Sequence, residues 1–399
     1  MTALAAVSQT PPAKARPVTP RRVAQAPFVA AGRPRNRRQR PNQLPNDSFR
    51  EAFAARPRNG AMTDSSSRHH SSPRHHWSSR RVLITGGLGF VGSNLAHSLV
   101  AAGAEVTLLD ARLPHLGSNP ANIAGIEDDV TVAEADVRDA DAVADCVADA
   151  DLVYHCAAQN DRSYAGEHPS ADLAINCEGT LNVLEAAKAC DPSPRVVYTS
   201  SLAVYGRPTD LPVDESTPAR PMDLYGAHKR TAEHYCRIYH EQHGVPTTVC
   251  RLANVYGPRA PTDTGYGVQG IFVATAVRDE TITVFEPGTM QRDIIHVADV
   301  VDVLERMGTS EAVLGEEYVL GSGEGTTLGS LARTIVDVAG TGEVELVPWP
   351  EEWAKIDRGD VYCDPAKLRA ALDWSPKIEL ETGLRETVEF YRDNRETYL

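Results

Sequence analysis

Arg81-Val-Leu-Ile-Thr-Gly-Gly-Leu-Gly-Phe-Val-Gly-Ser-Asn-Leu95 reads, in order, as a buried strand, a glycine turn and the start of a helix. Gly86, Gly89 and Gly92 follow a G-x-x-G-x-x-G spacing. The first allows a tight turn, the second lets backbone N–H groups approach a pyrophosphate at a helix N-terminus, and the third permits close packing of helix on strand. Glycines in that context point to a dinucleotide site when an acid closes the following strand.

Working outward from this segment, short β-branched runs alternate with helical patterns, as expected of a parallel sheet covered by helices. Strands are predicted at Arg81–Thr85, Glu105–Leu109, Val130–Ala133, Leu152–His155, Arg195–Ser200 and Thr247–Arg251. Helices are predicted at Gly92–Ala102, Asp139–Ala148, Ala171–Lys188 and Leu224–His243. The pattern describes an α/β chain with a doubly wound, six-stranded parallel Rossmann sheet over residues 81–251. Beyond Arg251 the pieces shorten: helices at Gly270–Val277, Val297–Gly308 and Leu328–Ala339, and strands at Ile282–Phe285 and Tyr318–Leu320. Residues 252–399 are therefore expected mainly to form a smaller α/β lobe over the strand ends, with a substrate in the cleft.

Charge divides the chain at the same point. Residues 1–80 carry 15 of the 40 Lys+Arg and 3 of the 54 Asp+Glu, which leaves 25 against 51 for residues 81–399. The tail, rich in Pro, Arg and Ser and without apolar periodicity, is expected to be disordered. It reads as a transit peptide, a polyanion-binding arm, or a stretch upstream of a true start at Met62, the last being favoured. The acidic body repels polyanions, so nucleic acid is not an expected partner, and no apolar run is long enough to cross a membrane. Seven cysteines without C-x-x-C spacing read as reduced thiols of a cytoplasmic protein and leave no metal site expected.

Four further features carry chemistry. Asp110 closes Val106-Thr-Leu-Leu-Asp110, where a carboxylate accepts hydrogen bonds from the adenosine ribose and repels a 2′-phosphate, favouring NAD over NADP; Arg112 nearby argues the other way. Asp136, after the third strand, is placed to reach an adenine amino group. In Tyr225-Gly-Ala-His-Lys229 the four-residue spacing puts phenol and ammonium on one helix face, where the cation favours phenolate and readies Tyr225 for proton exchange. Ser201, in Val197-Tyr-Thr-Ser-Ser-Leu-Ala-Val-Tyr-Gly206, stands at a strand's carboxyl end and can align an alcohol or ketone with Tyr225. The plainer alternative is that Thr199, Ser200 and Ser201 satisfy turn backbone.

Together the glycine turn, Thr-Ser-Ser before Val-Tyr-Gly, and Tyr-x-x-x-Lys resemble the extended short-chain dehydrogenase/reductase family, the NAD-dependent epimerase/dehydratases. The resemblance runs from Arg81 to about Tyr391 and includes His155-Cys-Ala-Ala158, Asn176, Arg251-Leu-Ala-Asn-Val-Tyr-Gly-Pro258 and Gln291-Arg-Asp-Ile-Ile-His296. It implies that Phe90, Val91, Asp110, Asp136, Val137, Ala157, Ala158, Asn176, Tyr225 and Lys229 contact NAD, and that Asn254, Arg292 and Arg358 hold the diphosphate of a nucleotide sugar. Arginine suits that task in an acidic body, because its two-pronged hydrogen bonds match phosphate oxygens.

Members resembling dehydratases carry an Asp-Glu pair directly after the hydroxyl residue, whereas Leu202 and Ala203 stand here. Dehydration is therefore disfavoured, and the resemblance implies a UDP-glucose/UDP-galactose-type 4-epimerase working through a 4-keto sugar. A nucleotide-sugar reductase or 2-epimerase, and a non-catalytic NAD-binding regulator, stand as alternatives. A homodimer pairing the helices Ala171–Lys188 and Leu224–His243 is the expected assembly.

Overall fold

A computed structural model describes residues 77–262, 267–349 and 359–399. The expectation for the tail lies outside the described residues up to residue 76. From there the chain forms β1 (Arg81–Thr85), α1 (Phe90–Ala101), β2 (Glu105–Asp110), β3 (Val130–Glu134), α2 (Ala140–Ala148), β4 (Leu152–His155), α3 (Gly179–Ala189), β5 (Arg195–Ser201), α4 (Leu224–His243) and β6 (Thr247–Leu252). The apolar core strands are buried on both faces, as parallel strands covered by helices must be. Val82 and Ile84 of β1 pack under α1 with Leu95 and Leu99, while Leu83, one residue out of phase, joins Val143, Val183 and Cys236 on the opposite face.

The main sheet has seven strands in the order β10-β6-β5-β4-β1-β2-β3, every pair parallel. Six were expected. The seventh, β10 (Glu317–Leu320), comes from the half of the chain assigned mainly to the smaller lobe and pairs Tyr318 with Cys250 along β6. Between β6 and β10 the chain makes β7 (Asn254–Tyr256), α5 (Val268–Val277), β8 (Thr281–Phe285), β9 (Gln291–His296) and α6 (Val297–Thr309). Val300, Leu304 and Met307 return α6 to the core beneath α1. Sequence order thus alternates between two cores, and a single cut at 251 does not separate them.

The smaller part holds a three-stranded sheet, β11-β9-β7, in which β11 (Gly325–Thr327) is antiparallel to β9, and a parallel pair of β8 with β12 (Glu343–Val347). Helices α5, α7 (Leu328–Ala339) and α8 (Leu380–Asp393) cover it around Phe272, Ile335, Leu384 and Tyr391. Four of these strands, β7, β9, β11 and β12, are absent from the expected set; β7 and β11 are three residues long and β9 is mostly polar.

The helix expected to run unbroken over Ala171–Lys188 is interrupted. A short helix, Pro169–Leu173, passes into one wide π-turn, Ala174–Glu178, before α3 begins. The extra residue in that turn rotates Asn176 inward, and Gly179 then fits where a Cβ would lie 2.7 Å from Val137.

A buried ion pair fixes α4 against the sheet. Arg251 of β6 donates from Nε and Nη2 to the two oxygens of Glu233, both at 2.9 Å, and from Nη1 to Tyr205 Oη at 2.7 Å. Ser200 Oγ donates to the same Glu233 at 2.6 Å, and Glu317 of β10 reaches Arg251 at 2.5 Å. Burial pushes the Glu233 carboxyl upward, but the hydrogen bonds and charge of Arg251 outweigh it and hold it below its ordinary value. Removing Arg251 leaves Glu233 with Ser200 and with Arg230, 2.6 Å away, and removing Glu233 leaves Arg251 with Glu317, so each loss is expected to cost about 3 kcal/mol, the low end of the range for a broken buried pair. Arg251→Met is therefore expected to lower unfolding free energy by about that amount in urea titrations, while Arg251→Met with Glu233→Leu recovers much of it; a single variant as stable as wild type would show the pair to be idle.

Candidate active site

The main sheet reverses its winding between β1 and β4, and a cavity of ≈ 600 Å³ opens beyond the carboxyl ends of the strands there. Gly86 adopts φ +68 and donates its N–H to Leu109 O at 2.8 Å, turning the chain sharply after β1. A Cβ on Gly86 would lie 2.8 Å from the Ala157 backbone, and one on Gly92 would lie 2.3 Å from Gly86 O. Gly89 caps α1 without a side-chain bond, which leaves that helix's first amides facing the cavity. This cradle fits a dinucleotide pyrophosphate, because it presents N–H groups and no side-chain bulk.

Asp110 sits at the end of β2 in the same wall, 6% exposed. Its Oδ2 accepts from Leu88 N at 3.0 Å and its Oδ1 from Arg112 N at 2.8 Å, so the glycine turn itself holds the carboxylate. Arg112 points its guanidinium at Glu134, 3.0 Å away, and is not in the cavity wall. Arg112 is therefore not placed to accommodate a 2′-phosphate, and the site suits NAD. Asp136 also reaches the wall, with both oxygens engaged by Arg138, whose hydrogen bond pulls the carboxyl below its usual range.

The residues expected to carry proton transfer line one cavity because two elements touch. Asp223 caps α4 by accepting from Gly226 N at 2.8 Å, and Tyr225 is the second residue of that helix. A Cβ at Gly226 would lie 2.6 Å from Ala203 O, so glycine there allows α4 to press against the turn Leu202–Tyr205 that follows Ser201. Ser201, Tyr225 and Lys229 all line the cavity.

The three hydroxyl residues divide the work. Thr199 donates to His155 O at 3.1 Å and Ser200 donates to Glu233, whereas Ser201 accepts from Ala203 N at 3.2 Å and keeps its hydroxyl proton for the cavity side. Ser201 thus satisfies the turn backbone and also lines the cavity. Lys229 is 2% exposed, donates to Thr199 O at 2.8 Å and stands 4.7 Å over the Tyr198 ring. Burial brings its ammonium down to about 8, partly offset by Cys156, Asp172 and Glu233.

Of the other expected residues, Phe90, Val91, Val137, Ala157, Ala158, Asn254 and Arg292 are in the wall. Arg292 Nη1 donates to Gly359 O at 2.6 Å. Asn176 stands behind the wall: its amide donates to Gln159 O and Asp172 Oδ1 and accepts from Gln159 N, which steadies the loop after Ala158. Arg358 lies outside the described residues.

Several wall residues carry no mark in sequence. Arg162 lines the cavity and pairs with the capping Asp223 at 2.6 Å, so it supports the helix end that carries Tyr225. Ser118, Gln269, Phe285 and Trp349 also line it. The carboxylates in the wall, among the described residues, are Asp110, Asp136 and Asp161; Leu202 and Ala203 present none.

The comparisons with known proteins agree with this geometry. Residues 82–321 match the family model described as the NAD dependent epimerase/dehydratase family. A UDP-glucose 4-epimerase from Mycolicibacterium smegmatis is 32% identical over 318 residues, covering 78% of this chain and 99% of the relative. A dTDP-glucose 4,6-dehydratase from Mycobacterium tuberculosis H37Rv is 32% identical over 329 residues, covering 79% and 94%. The structure of a Thermus thermophilus UDP-glucose 4-epimerase in complex with NAD is 31% identical with a TM-score of 0.70, covering 78% of this chain and 99% of that one. With the glycine cradle, Asp110 and the Ser201, Tyr225 and Lys229 set in one cavity, the chain belongs to the NAD-dependent epimerase/dehydratase family.

Proposed function

We propose that the protein is a nucleotide-sugar 4-epimerase of the UDP-glucose/UDP-galactose type. The observation that carries this reading is the Leu202–Ala203 turn, which places two apolar side chains in the wall directly beside Ser201. Removing water from a sugar needs an acid to protonate the leaving oxygen and a base to take a neighbouring proton. Neither side chain of the turn transfers a proton, which argues against sugar dehydration here.

Inversion at one carbon asks less of the protein. Bound NAD supplies acceptance and return of the hydride. Tyr225 takes the proton of the sugar hydroxyl, the charge of Lys229 favours the phenolate form, and Ser201 hydrogen-bonds the oxygen as it passes from alcohol to ketone. The keto sugar then presents its other face, and Tyr225 returns the proton. A reductase or a 2-epimerase would use the same three residues, and the products formed from a panel of nucleotide sugars separate them from a 4-epimerase. A non-catalytic regulator would have no use for Ser201, Tyr225 and Lys229 together in one wall.

In this reading the protein is a cytoplasmic homodimer. The free thiols suit a reducing compartment, and Leu173, Met222 and Leu224 are exposed apolar side chains beside α3 and α4. Among the described residues no helix is long and apolar enough to cross a membrane.

A panel of UDP-, GDP-, CDP- and dTDP-sugars tests the assignment, with products separated chromatographically. Interconversion of UDP-glucose and UDP-galactose without net change in NADH is expected, and a 4-keto-6-deoxy product would overturn it. Tyr225→Phe is expected to cut turnover by roughly 10²–10⁴-fold with an unchanged circular dichroism spectrum; near-normal turnover would remove Tyr225 from the mechanism. The alkaline limb of the rate profile should follow Lys229, falling as its ammonium deprotonates near 8. Stability should move the opposite way: the unfolded lysine titrates near ~10.4, so between the two values the unfolded chain binds the extra proton and this group's contribution rises with pH. Lys229→Met is expected to abolish both trends, and a wild-type rate profile without an alkaline limb there would count against the assignment.

A further inference from the structure

Gln269 lies in the first turn of α5, 1% exposed, and belongs to the cavity wall. Neither its Nε2 nor its Oε1 has a hydrogen-bond partner, and among the described residues it is the one buried carboxamide left with both groups unpaired. An amide in that condition destabilises the protein that carries it, unless another molecule completes it.

Its surroundings limit what that molecule is. The wall beside it is apolar, with Pro261, Val268 and Ile271, and farther along Phe285 and Trp349 lie with ring centroids 4.6 Å apart. The glycine cradle takes the dinucleotide, and the reacting carbon belongs beside Ser201 and Tyr225. The part of a nucleotide sugar left for the wall shared by Arg292 and Gln269 is the diphosphate and the nucleoside. A hexose, with hydroxyls around its whole edge, needs partners on several sides. A planar base needs apolar surfaces for its faces and one donor–acceptor pair for its polar edge.

We infer that Gln269 is a specificity-determining residue for the nucleobase, its Oε1 accepting the ring imide N–H of a uracil-type base while its Nε2 donates to the adjacent ring carbonyl. The inference rests on the nucleotide-sugar reading above and adds which end of the substrate the chain reads by hydrogen bonding. Replacing the amide by an apolar side chain of similar size removes a liability from the empty protein and a recognition group from the complex, so stability and affinity should move in opposite directions.

Calorimetric titration of wild type, Gln269→Leu and Gln269→Met with UDP, with UDP methylated at the imide nitrogen, and with NAD tests this. Wild type is expected to bind the methylated UDP roughly tenfold to a hundredfold more weakly than UDP, and each variant to bind the two alike, at about the weaker level. NAD affinity should be unchanged, and the thermal midpoints of the ligand-free variants at or above that of wild type. Variants that bind UDP as wild type does, or that still discriminate against the methylated nucleotide, overturn the inference. A wild-type protein that binds NAD but not UDP overturns the functional reading itself, a different result from UDP binding that is indifferent to Gln269.

Discussion

The catalytic arrangement depends on one bidentate ion pair, Arg251 with Glu233, buried where α4 crosses β5 and β6. Neither residue lines the cavity, but the elements that carry Ser201, Tyr225 and Lys229 are each tied to one of them. Glu233 is one helical turn beyond Lys229 on α4 and also accepts from Ser200, the neighbour of Ser201. Arg251 holds the Tyr205 hydroxyl and so anchors the turn that carries Leu202 and Ala203. A charged pair this deep returns little net stability against an apolar alternative, since desolvation offsets most of the attraction. Its geometric demand is strict, because two parallel hydrogen bonds at 2.9 Å tolerate neither sliding nor rotation of the helix.

The same region shows how an acidic protein keeps a useful cation. Lys229 is one of few lysines in the body and is almost wholly buried, donating to a backbone carbonyl over an aromatic face. Burial lowers its hold on the proton, and the carboxylates of Asp172 and Glu233 restore part of it. The ammonium is thereby left near the point where it ionises, a condition that surface lysines, screened by water and salt, do not reach.

How much of this was legible in the sequence depended on periodicity. β1, β4, α4 and α7 fall on their expected residues, because an apolar run or a continuous helical stripe marks each from end to end. The glycines, Ser201, Tyr225 and Lys229 line one cavity, since glycine spacing and the Tyr225–Lys229 interval encode backbone geometry directly, whereas Asn176 stands behind the wall. β9 was noticed as Gln291-Arg-Asp-Ile-Ile-His296 but not as a strand, because half its residues are charged or amide-bearing and it forms the centre of a small sheet. The π-turn before α3 leaves the apolar pattern nearly intact, so the interruption and the inward rotation of Asn176 were invisible. Gln269 was missed for the opposite reason: a polar residue on a helix reads as solvent-facing, and burial of its amide is a property of the assembled cavity.

The return of β10 and α6 to the main sheet has a bearing on how such a protein can be divided. The chain leaves the main sheet after β6, comes back at Val297, leaves again after Leu320, and sends Leu368 and Trp374 back into the core beneath α1 before α8. Ala253 N donates to Leu320 O at 2.8 Å, joining two of these passages side by side. The two parts are stitched along a seam, unlike a lid on a single linker. Recombination at one joint cannot exchange the substrate-reading part for another, because any fragment ending at β6 loses a strand and a covering helix of its own sheet. New specificities on this scaffold must come from changes inside the wall, one side chain at a time.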